Sequence, residues 1–201
     1  TSDNGPWTAA QIGDHGGSAG PFRGVKMTTW EGGWRVPCLA RWPGRVRAGE
    51  ASDGIATTLD LLPTFAAFAG AKLPDVRLDG TDLSAFLTIP GARSPRETFL
   101  YHNGARLTAV RHREWKLVFP RPAGGEMPYE PAFVTGHIEA LAAAQLFNLR
   151  ADAGEKNDMV VDRPDVVESL TGIAGQSRAD LGDYTGPGPG ARFYDEGPRW
   201  P

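Results

Sequence analysis

A chain of 201 residues has room for one domain or two small ones, and its near-average apolar content marks it as globular rather than disordered. A formal net charge of −3 leaves no basic excess, which excludes the electrostatic footprint of a nucleic-acid binder. No apolar run is long enough to span a bilayer, and a single cysteine excludes an internal disulfide.

Residues 1–37 read as loop, in keeping with 26 glycines and 17 prolines overall. They open on Ser2-Asp3-Asn4-Gly5, a carboxylate beside a carboxamide, followed by a glycine that frees the backbone to turn. Asp3 and Asn4 offer hard oxygen ligands of the kind that Ca²⁺ or Mg²⁺ takes, while the same residue types also suit a plain turn. A Gly-rich stretch follows at His15-Gly16-Gly17-Ser18-Ala19-Gly20-Pro21. It runs into a segment from Phe22 to Pro37 that carries Lys26, Trp30, Glu31, Gly32, Gly33 and Arg35. A ligand pair, a flexible loop and a lysine beyond it make a plausible anion site. Val25, Met27 and Trp30 around Lys26 imply a partly buried stem, against the usual solvated fate of a lysine. Glu31 and Arg35, charged within an apolar run, are expected to pair with each other or with loop backbone and to hold the loop of Lys26. Gly32-Gly33 is expected to turn that loop with positive φ.

Val36 to Trp42 reads as a short buried strand ended by Pro43-Gly44, with Cys38 as a small core residue. Thr57 to Gly70 reads as a helix capped by Asp60 and stopped at Gly70, with Leu61, Phe65, Phe68 and Ala69 on one buried face. Asp79 and Asp82 lack the ligand spacing of a calcium loop and suit turn and cap roles. From Glu97 the pattern becomes short β-rich runs at 98–101, 107–111 and 115–119, an antiparallel meander. Arg121 to Pro131 reads as an insertion loop. A short helix over 138–146 competes with a last strand over 145–149. Pro164 opens a helix with Val166, Val167, Leu170 and Ile173 on one face, and 184–201 reads as an extended Gly/Pro-rich tail.

The order T-S-D-N-G-P, then H-G-G-S-A-G-P, then R-x-x-K-x-T-T-W-E-G-G-x-R-V-P resembles the sulfatase family. Asp79-Gly80-Thr81-Asp82-Leu83 resembles that family's D-G-x-D-L, and Asp152-Ala153-Gly154-Glu155 its D-P-x-E turn with alanine in place of proline. The likeness is strong over the first 45 residues and looser to about 182. It implies an α/β, alkaline-phosphatase-like sandwich plus a small C-terminal antiparallel sheet packed with a helix. Residues 1–95 would then close the catalytic domain, 96–182 form the C-terminal subdomain and 183–201 the tail.

The resemblance also implies roles. Asp3 and Asn4 would be metal ligands, for Ca²⁺ with Mg²⁺ possible, and Lys26 would bind the sulfate. His15 is a pocket-rim residue with a possible substrate contact. The family's nucleophile is a formylglycine made from the cysteine of a C-x-P-x-R or C-x-A-x-R motif. Cys38 does not fit that motif, since Arg41 stands one position too close. The nucleophile and the other metal ligands are therefore expected upstream, with this chain a C-terminal portion that is inactive alone. The implied reaction is hydrolysis of an aryl or carbohydrate sulfate ester, in a family that is often exported. Two rivals stand beside it: a phosphate or phosphonate ester hydrolase of the same superfamily, and a non-catalytic fragment.

Overall fold

The β-rich runs after Glu97 do form a sheet. The computed structural model describes residues 1–7, 17–104, 106–122 and 140–191. Within them β1 (Thr98–Asn103), β2 (Arg106–His112), β3 (Trp115–Val118) and β4 (Gln145–Asn148) form a four-stranded antiparallel sheet in the order β1-β2-β3-β4. The helix expected over 138–146 is not seen in its described part: Leu141 bridges to Arg121, and Gln145 opens β4. The strand wins because Leu146 and Phe147 bury on opposite faces of the sheet, a period of two that a helix cannot supply.

Among the described residues four α-helices accompany the sheet: α1 (Glu31–Trp34), α2 (Leu61–Ala69), α3 (Ser84–Thr88) and α4 (Pro164–Leu181). α4 starts on Pro164 at its first turn, with Asp165 near its N-terminus and Arg178 in its last turn, which suits the helix dipole at both ends. Its Leu170 and Ala174 pack on Leu107, Val110, Leu117 and Leu146, and Val166, Val167 and Ile173 flank them. Burying each such leucine contributes about 1.5–3 kcal/mol, so this face carries much of the local stability. The opposite face holds Tyr101, Ala109, Val118, Phe147 and Leu149, and it is closed by Trp30 from the N-terminal loop. The Lys26 loop is therefore packed onto the C-terminal sheet rather than standing apart from it. After α4 the chain turns back through a short hairpin, Gly182–Asp183 with Gly186–Pro187, where Asp183 accepts the Leu107 N–H at 3.0 Å and pairs with Arg178 at 2.6 Å. No helix of the described residues is long and apolar enough to cross a membrane.

Three expectations are corrected. Val36 to Trp42 forms no strand and finds no ladder partner among the described residues, and most of it is exposed. Cys38 is consequently exposed, and Leu39 is 93% exposed. The helix expected over 57–70 is present as a 3₁₀ turn (Thr58–Asp60) leading into α2, and it stops at Gly70 in the left-handed conformation. Its buried residues, however, are Pro63 and Thr64, with Phe65 60% and Leu61 40% exposed. Thr64 accepts the Leu83 N–H at 2.9 Å, which turns that side of α2 inward, while the half-buried Phe68 lies T-shaped to Trp42 with 4.8 Å between ring centres. Asp60 makes no side-chain bond to the first turn of α2; it caps the preceding 3₁₀ turn instead, in a capping box with Thr57. It reaches back to the Thr57 N–H at 2.8 Å and across to the Thr81 N–H and the Arg96 guanidinium. Asp82 caps as expected, accepting the Ser84 N–H at 2.7 Å.

Candidate functional site

The Asp3-Asn4 pair and Lys26 meet through backbone bonds between their loops. The Gly5 N–H donates to the Gly33 carbonyl at 2.9 Å, and the Lys26 N–H donates to the Pro6 carbonyl at 3.0 Å. These two bonds set the segments side by side and form an open cleft of about 350 Å³ lined by Asn4, Trp7, Lys26 and Pro37 among others. The Lys26 ammonium lies 5.3 Å from the centre of the Trp7 ring, over its face, at a distance where the ring quadrupole still attracts it. Lys26 is half-buried, as its neighbours implied. Asp3 is exposed, and its own N–H, the Ser2 hydroxyl and the Lys26 charge hold its carboxyl below the usual range.

An ionised carboxylate beside an amide fits a hard cation as part of a ligand set. Ca²⁺ wants about six to eight oxygens, so the pair alone is insufficient. Among the described residues no group of three or more His, Cys, Asp or Glu could complete it. His15, expected at the rim, lies outside the described residues.

Lys26 sits in a tight turn. The Thr28 N–H and hydroxyl both donate to the Val25 carbonyl, at 3.0 and 2.7 Å, and the Trp34 indole holds the Thr28 carbonyl at 2.9 Å. Positive φ falls on Gly24 (75°) and Met27 (73°), not on Gly32 or Gly33. Those two glycines lie within α1, where their lack of a side chain serves clearance instead. A Cβ on Gly32 would strike the carbonyls of Gly24 and Arg23, and one on Gly33 would stand 2.6 Å from the Val25 carbonyl. Gly5 likewise is buried with normal φ, and a Cβ there would meet the Gly32 carbonyl. Glycine is required here because backbone packs directly on backbone.

Beneath this loop lies a buried charge network. The pleat sends Lys116 and Arg111, paired across β2 and β3, to the face that the loop covers. Lys116 is 0% exposed, and its ammonium donates to the Thr29 carbonyl at 2.8 Å while pairing with Glu31 at 3.1 Å and Glu155 at 2.8 Å. Glu31 also accepts from the Tyr101 hydroxyl at 2.6 Å and lies 3.5 Å from Arg111. Glu155 takes the Glu31 N–H at 2.7 Å. Two cations thus balance two carboxylates. Burial works against ionising Glu31, but Lys116, the Tyr101 hydroxyl and Arg111 outweigh it and hold that carboxyl below its ordinary value. Burial wins at Glu155 and pushes its carboxyl up, with Lys116 offsetting part of the rise.

The expected pairing of Glu31 with Arg35 is therefore replaced by pairing with the sheet, while Arg35 stacks over Phe22 at 4.7 Å. The supporting role expected of Glu31 stands. Lys116, Tyr101 and Arg111 went unnoticed in the sequence, and Glu155 was seen only as the last residue of the D-P-x-E-like turn, with no partner assigned. The available signal was Lys116 itself, a charge inside the run Trp115-Lys116-Leu117-Val118.

The comparisons agree with this arrangement. Residues 1–71 match the family described as sulfatase, and residues 94–184 match the C-terminal region of aryl-sulfatase. Arylsulfatase A of Bos taurus is 39% identical over 168 residues, covering 80% of this chain and 32% of the bovine protein. The PsFucS1 sulfatase from Pseudoalteromonas sp. superposes with a TM-score of 0.68 at 26% identity, over 88% of this chain and 36% of that one. Ps i-CgsB, solved in complex with k-i-k-neocarrahexaose, superposes with a TM-score of 0.64 at 30% identity, over 87% of this chain and 34% of that one. The chain spans about a third of the length of the curated relatives it matches. The α/β, alkaline-phosphatase-like sandwich architecture expected from the motifs is that of these neighbours. With both halves matched in order and the motif loops brought together on one sheet, the chain belongs to the sulfatase family.

Proposed function

We propose that this chain is the C-terminal part of a calcium-dependent sulfatase that hydrolyses an aryl or carbohydrate sulfate ester to an alcohol and sulfate. The observation that carries the reading is the shared cleft of Asn4 and Lys26, fixed by the Lys26–Pro6 and Gly5–Gly33 backbone bonds. Asp3 and Asn4 would hold Ca²⁺, with Mg²⁺ the alternative, together with ligands supplied by a preceding part of the protein. Bound there, the ion would supply charge neutralisation at a sulfate oxygen. Lys26 would place a compact cation beside the sulfate oxygens, whose negative charge it stabilises as the ester bond breaks. The nucleophile, a formylglycine, would also come from the preceding part. Half-exposed and exposed apolar residues on α2 and its approach, Trp42, Leu61 and Phe65 among them, fit a surface that such a part would cover. Arylsulfatase A and the carbohydrate-bound Ps i-CgsB together support either substrate class.

The test compares turnover of 4-nitrophenyl sulfate and 4-nitrophenyl phosphate by the complete protein, before and after removal of divalent cations. Sulfate-ester turnover that is lost with the cation and restored by Ca²⁺ is expected. A preference for the phosphate ester would favour the phosphohydrolase reading, and no turnover of either the non-catalytic one.

A further inference from the structure

We infer that Glu155 is a positioning residue for Lys26: from the turn that follows β4 it fastens both ends of the loop that aims the ammonium into the cleft. The inference rests on the anion-binding role proposed for Lys26. Its own basis is the geometry of Glu155. One carboxylate oxygen accepts the Glu31 N–H at 2.7 Å, the other faces the Lys116 ammonium at 2.8 Å, and the Glu155 carbonyl accepts from the Arg23 guanidinium at 3.3 Å. Arg23 and Glu31 bracket Lys26 in the chain. They are tied to each other as well, because the Arg23 carbonyl accepts the Gly32 N–H at 2.7 Å. Lys116, held by Glu155, fixes the Thr29 carbonyl between them. Both ends of the Lys26 loop therefore close on one residue, 132 positions down the chain from Arg23 and 124 from Glu31.

The backbone of Glu155 supports the same reading. Its φ is +53°, a left-handed conformation that glycine adopts freely and other residues seldom do. A turn alone would be served better by glycine. Glutamate at that position points to a side chain whose contacts outweigh the backbone cost, and this side chain is buried with charged and backbone partners.

The decisive experiment is a double-mutant cycle in the complete protein with 4-nitrophenyl sulfate as the probe: Glu155→Gln, Lys26→Ala and the pair, with metal content and unfolding midpoint measured for each. Glu155→Gln keeps the shape and an acceptor for the Glu31 N–H but removes the charge facing Lys116. It is expected to lower kcat by roughly 10–10²-fold through displacement of Lys26, with metal content unchanged. In the Lys26→Ala background the same change should cost less than about threefold, since the group being positioned is gone. Glu155→Asp, which keeps the charge but shortens its reach, should show the same non-multiplicative pattern and serves where the glutamine variant does not fold. Arg96→Ala, destabilising at a distance from the cleft, is the control whose effect on kcat should be the same in both backgrounds. Full multiplication of the Glu155 and Lys26 effects, or a Glu155→Gln kcat within about twofold of the parent, would overturn the inference. An inert Lys26→Ala would instead refute the role of Lys26 itself.

Discussion

Replacing Lys116 by methionine keeps most of the side-chain volume and removes the one cation shared by Glu31 and Glu155. The losses are unequal. Glu31 keeps the Tyr101 hydroxyl at 2.6 Å and Arg111 at 3.5 Å, whereas among the described residues the Glu155 side chain keeps the Glu31 N–H alone, and the Thr29 carbonyl loses the ammonium. Removing one partner of a buried pair costs about 3–5 kcal/mol, most of it the penalty of the stranded charge. For a chain of this size that lowers the unfolding midpoint by roughly 6–20 °C. Denaturant and thermal unfolding measure it. Lys116→Met with Glu155→Gln should recover about 1–3 kcal/mol, because the stranded carboxylate becomes a neutral amide. The pH dependence has a definite sign. Burial already raises the Glu155 carboxyl, and losing Lys116 raises it further, so the variant should regain stability as pH falls through that carboxyl and lose it as pH rises. A cost below about 1 kcal/mol, the value of an exposed ion pair, or a double variant less stable than the single, would refute this account of the network.

Gly32→Ala should cost several kcal/mol and abolish the cleft geometry, since its methyl strikes the rigid carbonyls of Gly24 and Arg23; unfolding and inorganic sulfate binding report the two effects. Arg96→Ala strands the buried Asp60 and should cost about 3 kcal/mol in denaturant unfolding. Burial opposes ionisation of Asp60, but Arg96 and the Thr81 and Thr57 N–H groups hold its carboxyl below 3.8; the stability it contributes is therefore present above that pH and lost below it as Asp60 protonates, and acid unfolding should lose this component in the variant. Cys38 should react with a maleimide under native conditions at a rate near that of a free thiol, and protection of Cys38 in the 201-residue chain would contradict its exposed position.

The sheet, α4 and the motif loops were legible because each writes a local pattern. Strands β1 to β3 are short β-rich runs separated by polar turns, α4 begins on proline and repeats its apolar residues at helical spacing, and Asp3, Asn4 and Lys26 stand in recognisable order. What stayed hidden depends on distant partners. Glu31 meets Lys116 from 85 residues away, and the charge inside the run Trp115-Lys116-Leu117-Val118 signals a paired lysine without naming its partner. Gly32 and Gly33 signalled a special backbone, but only the packed structure shows that the need is clearance rather than positive φ. Val36–Trp42 and the outer face of α2 carry apolar residues that call for burial, yet no described element covers Leu39, Leu61 or Phe65. Apolar content reports the need for a partner without saying whether one is present.

The central claim is that Lys26 stabilises the sulfate group from the cleft it shares with Asn4. Steady-state kinetics of Lys26→Ala in the complete protein, run beside elemental analysis of its metal, test it most directly. Loss of one preorganised charge-stabilising group should lower kcat by about 10²–10³-fold while calcium content stays near that of the parent. An unchanged kcat at full metal occupancy would contradict the account.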